Sequence, residues 1–361
     1  MASVKADQLR TDKKRVTIND VAHLAGVVPS TVSHVLNQTA SISEETRSRV
    51  LRAVEELNYS PNASARALRQ KRTRLIGVAV QDISSEFYAR CAASILEEAR
   101  KDCYCVLLCD AAFDKENLKK GVMTLIERRV DGLIFIGGGN DEEIIREAQN
   151  AGVPIIMGDR HFEDFPSVEF DNRNTVRKLV KLLWKAGYQN YTYASEPTKI
   201  QGNLRERYEG FLEGLRECGA SGEQIRVVFD ERLHKEKIKG SFQIFENLIS
   251  QTEDKEGTMV YVTSNDLIAY GILAAAEKKG IPIPGKLAVV GFDNIQLSEY
   301  YVPGLTTIAQ DEKLLGRNCY QLFKKVIHGQ VQERHIVLEQ QIIGRESAIL
   351  PLDGIKESKG R

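Results

Sequence analysis

No stretch of this 361-residue chain approaches the roughly 18 consecutive apolar residues that a membrane-spanning helix needs. Met1 to Arg15 lacks an apolar run and a small-residue cleavage site, so it reads as a disordered polar arm, neither signal peptide nor anchor. Catalytic signatures are missing too. There is no G-x-S-x-G elbow and no H-E-x-x-H pair, and Gly137-Gly138-Gly139 lacks the spacing and following Lys of a phosphate loop, which leaves a βα turn. His161, His234, His328 and His335 stand isolated, so no metal site, no cofactor and no enzyme activity are expected. The six cysteines form no C-x-x-C. Cys103, Cys105 and Cys109 crowd one apolar run, which suits buried reduced thiols. The single Trp184 lies in a helical segment and reads as structural.

Net charge is also absent, with 50 Lys+Arg against 50 Asp+Glu, but its distribution is uneven. Residues 1 to 75 carry 13 basic and 7 acidic side chains, leaving 37 and 43 for the remainder. A basic end on an otherwise acidic chain is the electrostatic footprint of a segment that meets phosphate. At this length at least two domains are expected.

The basic end contains TINDVAHLAGVVPSTVSHVLN (17 to 37). Ile18, Val21, Ala22 and Ala25 recur at helical spacing, Thr17 with Asp20 resembles a capping box, and Gly26 stops the helix. Pro29 fits the first turn of a second helix. That helix turns Val32, Val35 and Leu36 inward and Ser30, Ser33, His34 and Asn37 outward. Short polar groups without carboxylates suit base edges lined by phosphates, so a helix-turn-helix is predicted, its second helix reading the major groove. A third helix over Ile42 to Asn58 starts at Ser43, buries Val50, Val54 and Leu57, and leaves Arg47, Arg49 and Arg52 for phosphate.

Ser60 to Arg74 (SPNASARALRQKRTR) places Ala63 with Ala67, and Ser64 with Leu68, on one helical face. A helix this short is marginal alone, so two readings remain: a basic linker, or a helix formed when two copies pack. From Leu75 the pattern changes. Apolar runs at 75–80, 106–110, 132–137 and 153–159, and again at 190–195, 225–230, 258–263 and 286–293, alternate with helical segments. Two such series predict two doubly wound α/β lobes with parallel sheets and a ligand cleft at the strands' carboxyl ends.

The stretches TINDVAHLAGVVPSTVSHVLN and ISEETRSRVLRAVEELNYSPNASARALRQKRTRLIGV resemble the headpiece and hinge of the LacI/GalR family of bacterial transcription regulators. Weaker landmarks continue to about Ala348. The resemblance implies an N-terminal all-α helix-turn-helix headpiece and an α/β periplasmic-binding-protein-like core of two doubly wound lobes. The expected parts are an arm (1–15), the headpiece (16–59), a hinge (60–74), the core (75–350) and a tail (351–361). Crossings between lobes are expected near Asp171, Gln310 and Glu333, giving lobe 1 about 75–171 and 311–332 and lobe 2 about 172–310 and 333–349. The implied partners are double-stranded operator DNA, a second copy of the chain, and a small effector, a sugar or sugar derivative; the implied location is the bacterial cytoplasm, with the nucleoid. The tail lacks Leu heptads, which favours a homodimer.

DNA contacts are expected from Thr17, Pro29, Ser30, Thr31, Ser33, His34 and Asn37, and from Asn62, Leu68 and Arg69 of the hinge, where Leu68 would wedge into the minor groove. His34 stands where many members carry Arg, so the resemblance implies the binding mode and leaves the operator sequence open. Effector contacts are expected from Asp293 and Arg207, the latter in the family's R-x-x-G-F pattern and able to pair with Asp293, and from Asn203 four residues earlier. Phe87 and Tyr88 either stack on the ligand or belong to the core. Asp159, Asp171 and Asp266 match family landmarks, and Asp266 equally suits a helix cap. A transport receptor would need an export signal and no headpiece. The alternative left open is a global catabolite-control regulator that answers to a protein co-regulator.

Overall fold

Thr17 anchors the first helix, α1 (Ile18–Ala25), by donating its backbone N–H and its hydroxyl to Asp20 at 2.8 and 2.7 Å. Gly26 ends it at φ 65°, a left-handed turn that costs glycine nothing. Pro29 opens α2 (Pro29–Asn37), and Ser43 caps α3 (Glu44–Glu56) through the Thr46 N–H. Val21, Val32 and Val50, all fully buried, meet at the centre of the three, with Ala22, Ala25, Val35 and Ala53 around them. Each buried valine contributes on the order of 1.5–3 kcal/mol. The third helix is shorter at both ends than expected, because Leu57 takes the C-cap and Asn58 turns to φ 47°.

This computed structural model describes residues 16–37, 39–59, 72–137, 141–197, 202–250, 257–351 and 355–357. The arm 1–15, and Asn62, Leu68 and Arg69 with the rest of 60–71, lie outside the described residues. The chain divides into two compact units, 1–73 and 74–361.

The larger unit contains two sheets. The first runs β11-β5-β4-β3-β1-β2, from β1 (Leu75–Val80), β2 (Cys105–Asp110), β3 (Leu133–Ile136), β4 (Ile155–Gly158), β5 (Ser167–Phe170) and β11 (His335–Leu338), every pair parallel. The second runs β13-β12-β10-β9-β8-β6-β7, from β6 (Asn190–Ser195), β7 (Ile225–Phe229), β8 (Met259–Thr263), β9 (Leu287–Asp293), β10 (Thr306–Ala309), β12 (Gln341–Gly344) and β13 (Lys356–Glu357). There only β10 and β12 pair antiparallel. Both faces of each sheet are covered by apolar cores, which is why the central strands are apolar without alternation.

Five strands escape the sequence pattern: β5, β10, β11 and β12 have four residues each and β13 has two, and none sits in a longer apolar run of the kind that reveals the equally short β3 and β4. Their pairing corrects one expectation. The third crossing falls at Glu339–Gln340, between β11 and β12, and not near Glu333, because residues 335–338 pair with β5 in the first sheet. A second correction concerns the thiols. Cys91, Cys109 and Cys319 are buried, but Cys103 and Cys105 are exposed, Cys103 in the turn before β2 and Cys105 at the start of that edge strand.

Candidate DNA-reading face and effector cleft

In the headpiece, α2 leaves Pro29, Ser30, His34 and Asn37 exposed and Thr31 and Ser33 half-buried, while Val32 and Val35 hold the helix to its neighbours. The period of 3.6 produces this separation. Asn37 Nδ2 donates to the Ser33 carbonyl at 2.7 Å and His34 Nδ1 lies 2.9 Å from Thr39 Oγ1. These local bonds fix two side chains of the outward face before any base is met. Val28 stands 60% exposed at the helix entrance, an apolar group that suits contact with a thymine methyl.

In the larger unit, strand ends and helix starts from both sheets enclose a cavity of about 190 Å³. Asp159 follows β4 at φ 56° and Asp293 ends β9 at φ 112°, so both carboxylates sit on left-handed backbone. Such positions cost about 1–3 kcal/mol and concentrate at ligand clamps. Asn203 and Arg207, one turn apart on the helix Asn203–Cys218, enter from the same side. Phe87 and Tyr88, at the start of the helix Glu86–Lys101, supply ring surface.

The polar groups are largely pre-positioned. Asn203 Nδ2 donates to Asp159 Oδ2 at 2.8 Å, while the buried Asp159 Oδ1 has no hydrogen-bond partner. Gln310 Nε2 donates to Asp293 Oδ1 at 2.8 Å. Arg207 does not pair with Asp293 as expected. Its Nε donates to Asn172 Oδ1 at 2.9 Å, its Nη1 donates to the Ser264 carbonyl at 2.7 Å, and its guanidinium lies 3.6 Å above the Phe292 ring. The geometry is a shelf: Phe292 precedes Asp293 on β9, so the arginine is held flat beneath the carboxylate's neighbour. Its charge still acts through space, because burial raises the Asp293 carboxyl to about 6 and Arg207 restrains that rise. Burial likewise raises Asp159 to about 7, against the pull of Arg207 and with a push from Asp293.

All three crossings join this network. Asn172 follows the first crossing, Gln310 stands at the second and Gln340 at the third. Gln340 Nε2 donates to Gln310 Oε1 at 3.1 Å and approaches Asn172 Oδ1 at 3.4 Å. A chain of amides thus runs from Arg207 through the crossings to Asp293.

Two expected residues are elsewhere. Asp171 caps the helix Asn172–Lys185, accepting the Asn174 N–H at 3.3 Å, and does not line the cavity. Asp266 is fully buried behind it, accepting from Ile295 N–H, Ser298 Oγ and Thr307 Oγ1 at 2.9, 2.6 and 2.6 Å. The helix cap there is Asn265, through the Ile268 N–H. Sequence reasoning missed Gln81, Glu196, His234, Lys237 and Asn265, which also line the cavity. His234 packs on Phe113 with centroids 4.4 Å apart, and burial lowers its pKa. Nothing in the local sequence marks these, since a lone Glu or Lys near a helix start is ordinary.

Residues 17–62 match the model of bacterial regulatory proteins of the lacI family, and 180–348 match that of a periplasmic binding protein-like domain. An HTH-type transcriptional repressor PurR of Vibrio atlanticus (strain LGP32) is 30% identical over 92% of this chain and 98% of its own length. A lac repressor dimer bound to operator and the anti-inducer ONPF superposes with TM-score 0.79 at 27% identity, covering 92% of this chain and all but 1% of the other. A LacI-family regulator of Enterococcus faecium with bound ribose reaches TM-score 0.66 at 26% identity over 77% of this chain and 99% of its own.

Proposed function

The chain belongs to the lacI family of bacterial regulatory proteins, DNA-binding regulators with an effector-binding core, and from that premise we propose that it is a repressor released or engaged by an uncharged, monosaccharide-sized sugar. It acts as a homodimer on a pseudo-palindromic operator in the cytoplasm. Ser30, Thr31, Ser33, His34 and Asn37 read bases, and Thr17 and Pro29 approach the backbone. Asn62, Leu68 and Arg69 serve the hinge.

The observation that carries the sugar reading is the unpartnered Asp159 Oδ1 in a cavity that Asp293 also lines. Ionised carboxylates accept two hydroxyl donors each, the pattern a vicinal diol presents. Three acids, Asp159, Asp293 and Glu196, face two cations, Arg207 and Lys237, so above the range in which Asp159 takes up its proton a phosphorylated ligand would meet net repulsion. The volume lies below the roughly 300–1,000 Å³ of sites for drug-sized ligands, which favours one ring over two. The sugar bound by the Enterococcus neighbour is of this size. Phe87 and Tyr88 would cover an apolar ring face.

A thermal-shift screen of pentoses, hexoses and their phosphates tests this. Neutral sugars should raise the melting temperature and change operator affinity in fluorescence anisotropy; a response confined to phosphorylated sugars would overturn the reading. Operator affinity itself should fall with salt at a log–log slope of about −0.9 per phosphate contact, and a flat titration would argue against a phosphate-rich interface.

The acid–base state of the cleft sets a pH dependence. Only ionised Asp159 and Asp293 accept two hydroxyls, and their carboxyls protonate at about 7 and about 6. Sugar affinity measured by calorimetry should therefore decline as pH falls from 8 to 5, most steeply through that window. Folding stability moves the other way over the same range, because a carboxyl raised in the folded state binds its proton more tightly there than in the unfolded chain. A sugar affinity independent of pH would remove both carboxylates from the contact.

A further inference from the structure

We propose that His161, Glu169 and His335 form a binding site for a divalent transition-metal ion of the Zn²⁺, Co²⁺ or Ni²⁺ class at the edge of the first sheet. One ligand atom from each lies within 4.8 Å of the other two. The His161 and His335 rings are 4.0 Å apart between centroids, and His335 Nε2 is 3.1 Å from Glu169 Oε1. The two histidines, isolated in sequence, are therefore neighbours in space, which corrects the expectation drawn from their spacing.

Strand register produces the cluster. β5 and β11 run parallel with Ser167 beside His335, so Ser167 and Glu169, two residues apart, present the same face to it. His161 arrives from the turn after β4. Ser167 is fully buried, and its hydroxyl lies 3.2 Å from His161 Nδ1 and 2.8 Å from His335 Nδ1. One hydroxyl thus engages Nδ1 of both rings, the kind of outer-shell contact that orients imidazoles to bind a metal through the opposite nitrogen.

The donor set selects the ion. Two imidazoles and a carboxylate suit tetrahedral zinc-class ions with a fourth position open to solvent, whereas Ca²⁺ and Mg²⁺ require oxygen ligands. Bonds of about 2.0–2.1 Å place tetrahedral ligands about 3.4 Å apart, so side-chain rotation closes the observed spread. Glu169 lies two residues before the first crossing and His335 four before the third, so a bound ion would staple the strands leading to two of the three connections between sheets. This site is independent of the sugar reading.

The test is a Co²⁺ titration of the full chain after chelator treatment. One equivalent should bind with visible d–d absorption, without thiolate charge-transfer bands, and raise the melting temperature. His161→Gln and His335→Gln should each abolish the visible band while keeping the far-ultraviolet circular dichroism of the parent; His161 is exposed, so its replacement leaves the fold intact. Ser167→Ala should retain the band with affinity about 10- to 100-fold weaker. Absence of visible absorption, thiolate-type bands from Cys103 or Cys105, or a band indifferent to both histidine replacements would overturn the proposal.

Discussion

Asp293→Asn is expected to abolish the effector response while leaving operator affinity and folding intact. The carboxylate accepts a hydrogen bond from Gln310 and has capacity for ligand hydroxyls beyond it. Each charge-assisted bond to a ligand contributes about 1.5–3 kcal/mol, so losing two weakens binding by roughly 100-fold or more. Asparagine is the informative replacement because it tolerates positive φ, as its neighbour Asn294 does at φ 55°. Alanine at φ 112° would confound lost contact with backbone strain. Removing a buried charge whose pKa stands at about 6 also relieves a cost that is present in full above that pH. The variant should therefore melt no lower than the parent at pH 8. Calorimetry with the responding sugar, beside operator titrations, decides the matter: retained sugar affinity would take Asp293 out of the site.

Asp266→Asn should fail differently, losing stability and effector affinity together. Three donors converge on this carboxylate, from Ile295, Ser298 and Thr307, and each left without an acceptor costs about 1–3 kcal/mol. An amide retains one oxygen and turns an NH₂ toward at least one donor. The expected loss is about 2–5 kcal/mol, read as a lowered midpoint in denaturant with an unchanged slope. The network fixes the turn after Asp293, and Gly291 is required beside it, since a Cβ there would stand 2.0 Å from Asp266 Oδ1. Sugar affinity should fall because the turn carrying Asp293 loosens. A variant as stable as the parent that still loses sugar binding would show that Asp266 contacts ligand after all.

These two residues illustrate how far local sequence goes. Both are aspartates near an apolar strand or at a helix start, and both match landmarks of the same family. Asp293 lines the cavity and Asp266 is sealed behind it, because β9 ends at the sheet margin whereas the helix Asp266–Lys279 buries its first residue beneath the Ile295–Ser298 turn. Arg207 was expected beside Asp293. It is buried against Asn172 and Phe292, which the spacing of residues within one helix cannot reveal.

What the chain's own pattern determined is everything governed by neighbours a few residues apart: the capped helices of the headpiece, the polar outward face of α2, and the long apolar strands of two doubly wound sheets. Periodicity suffices there because side chains at i, i+3 and i+4 share a surface whatever lies beyond. Tertiary structure alone decided the strands β5, β10, β11, β12 and β13, the position of the third crossing, the amide chain through Asn172, Gln340 and Gln310, and the meeting of His161 with His335. Each of these depends on segments far apart in sequence being brought into register, and a short strand outside any apolar run has no identity until its partner supplies hydrogen bonds.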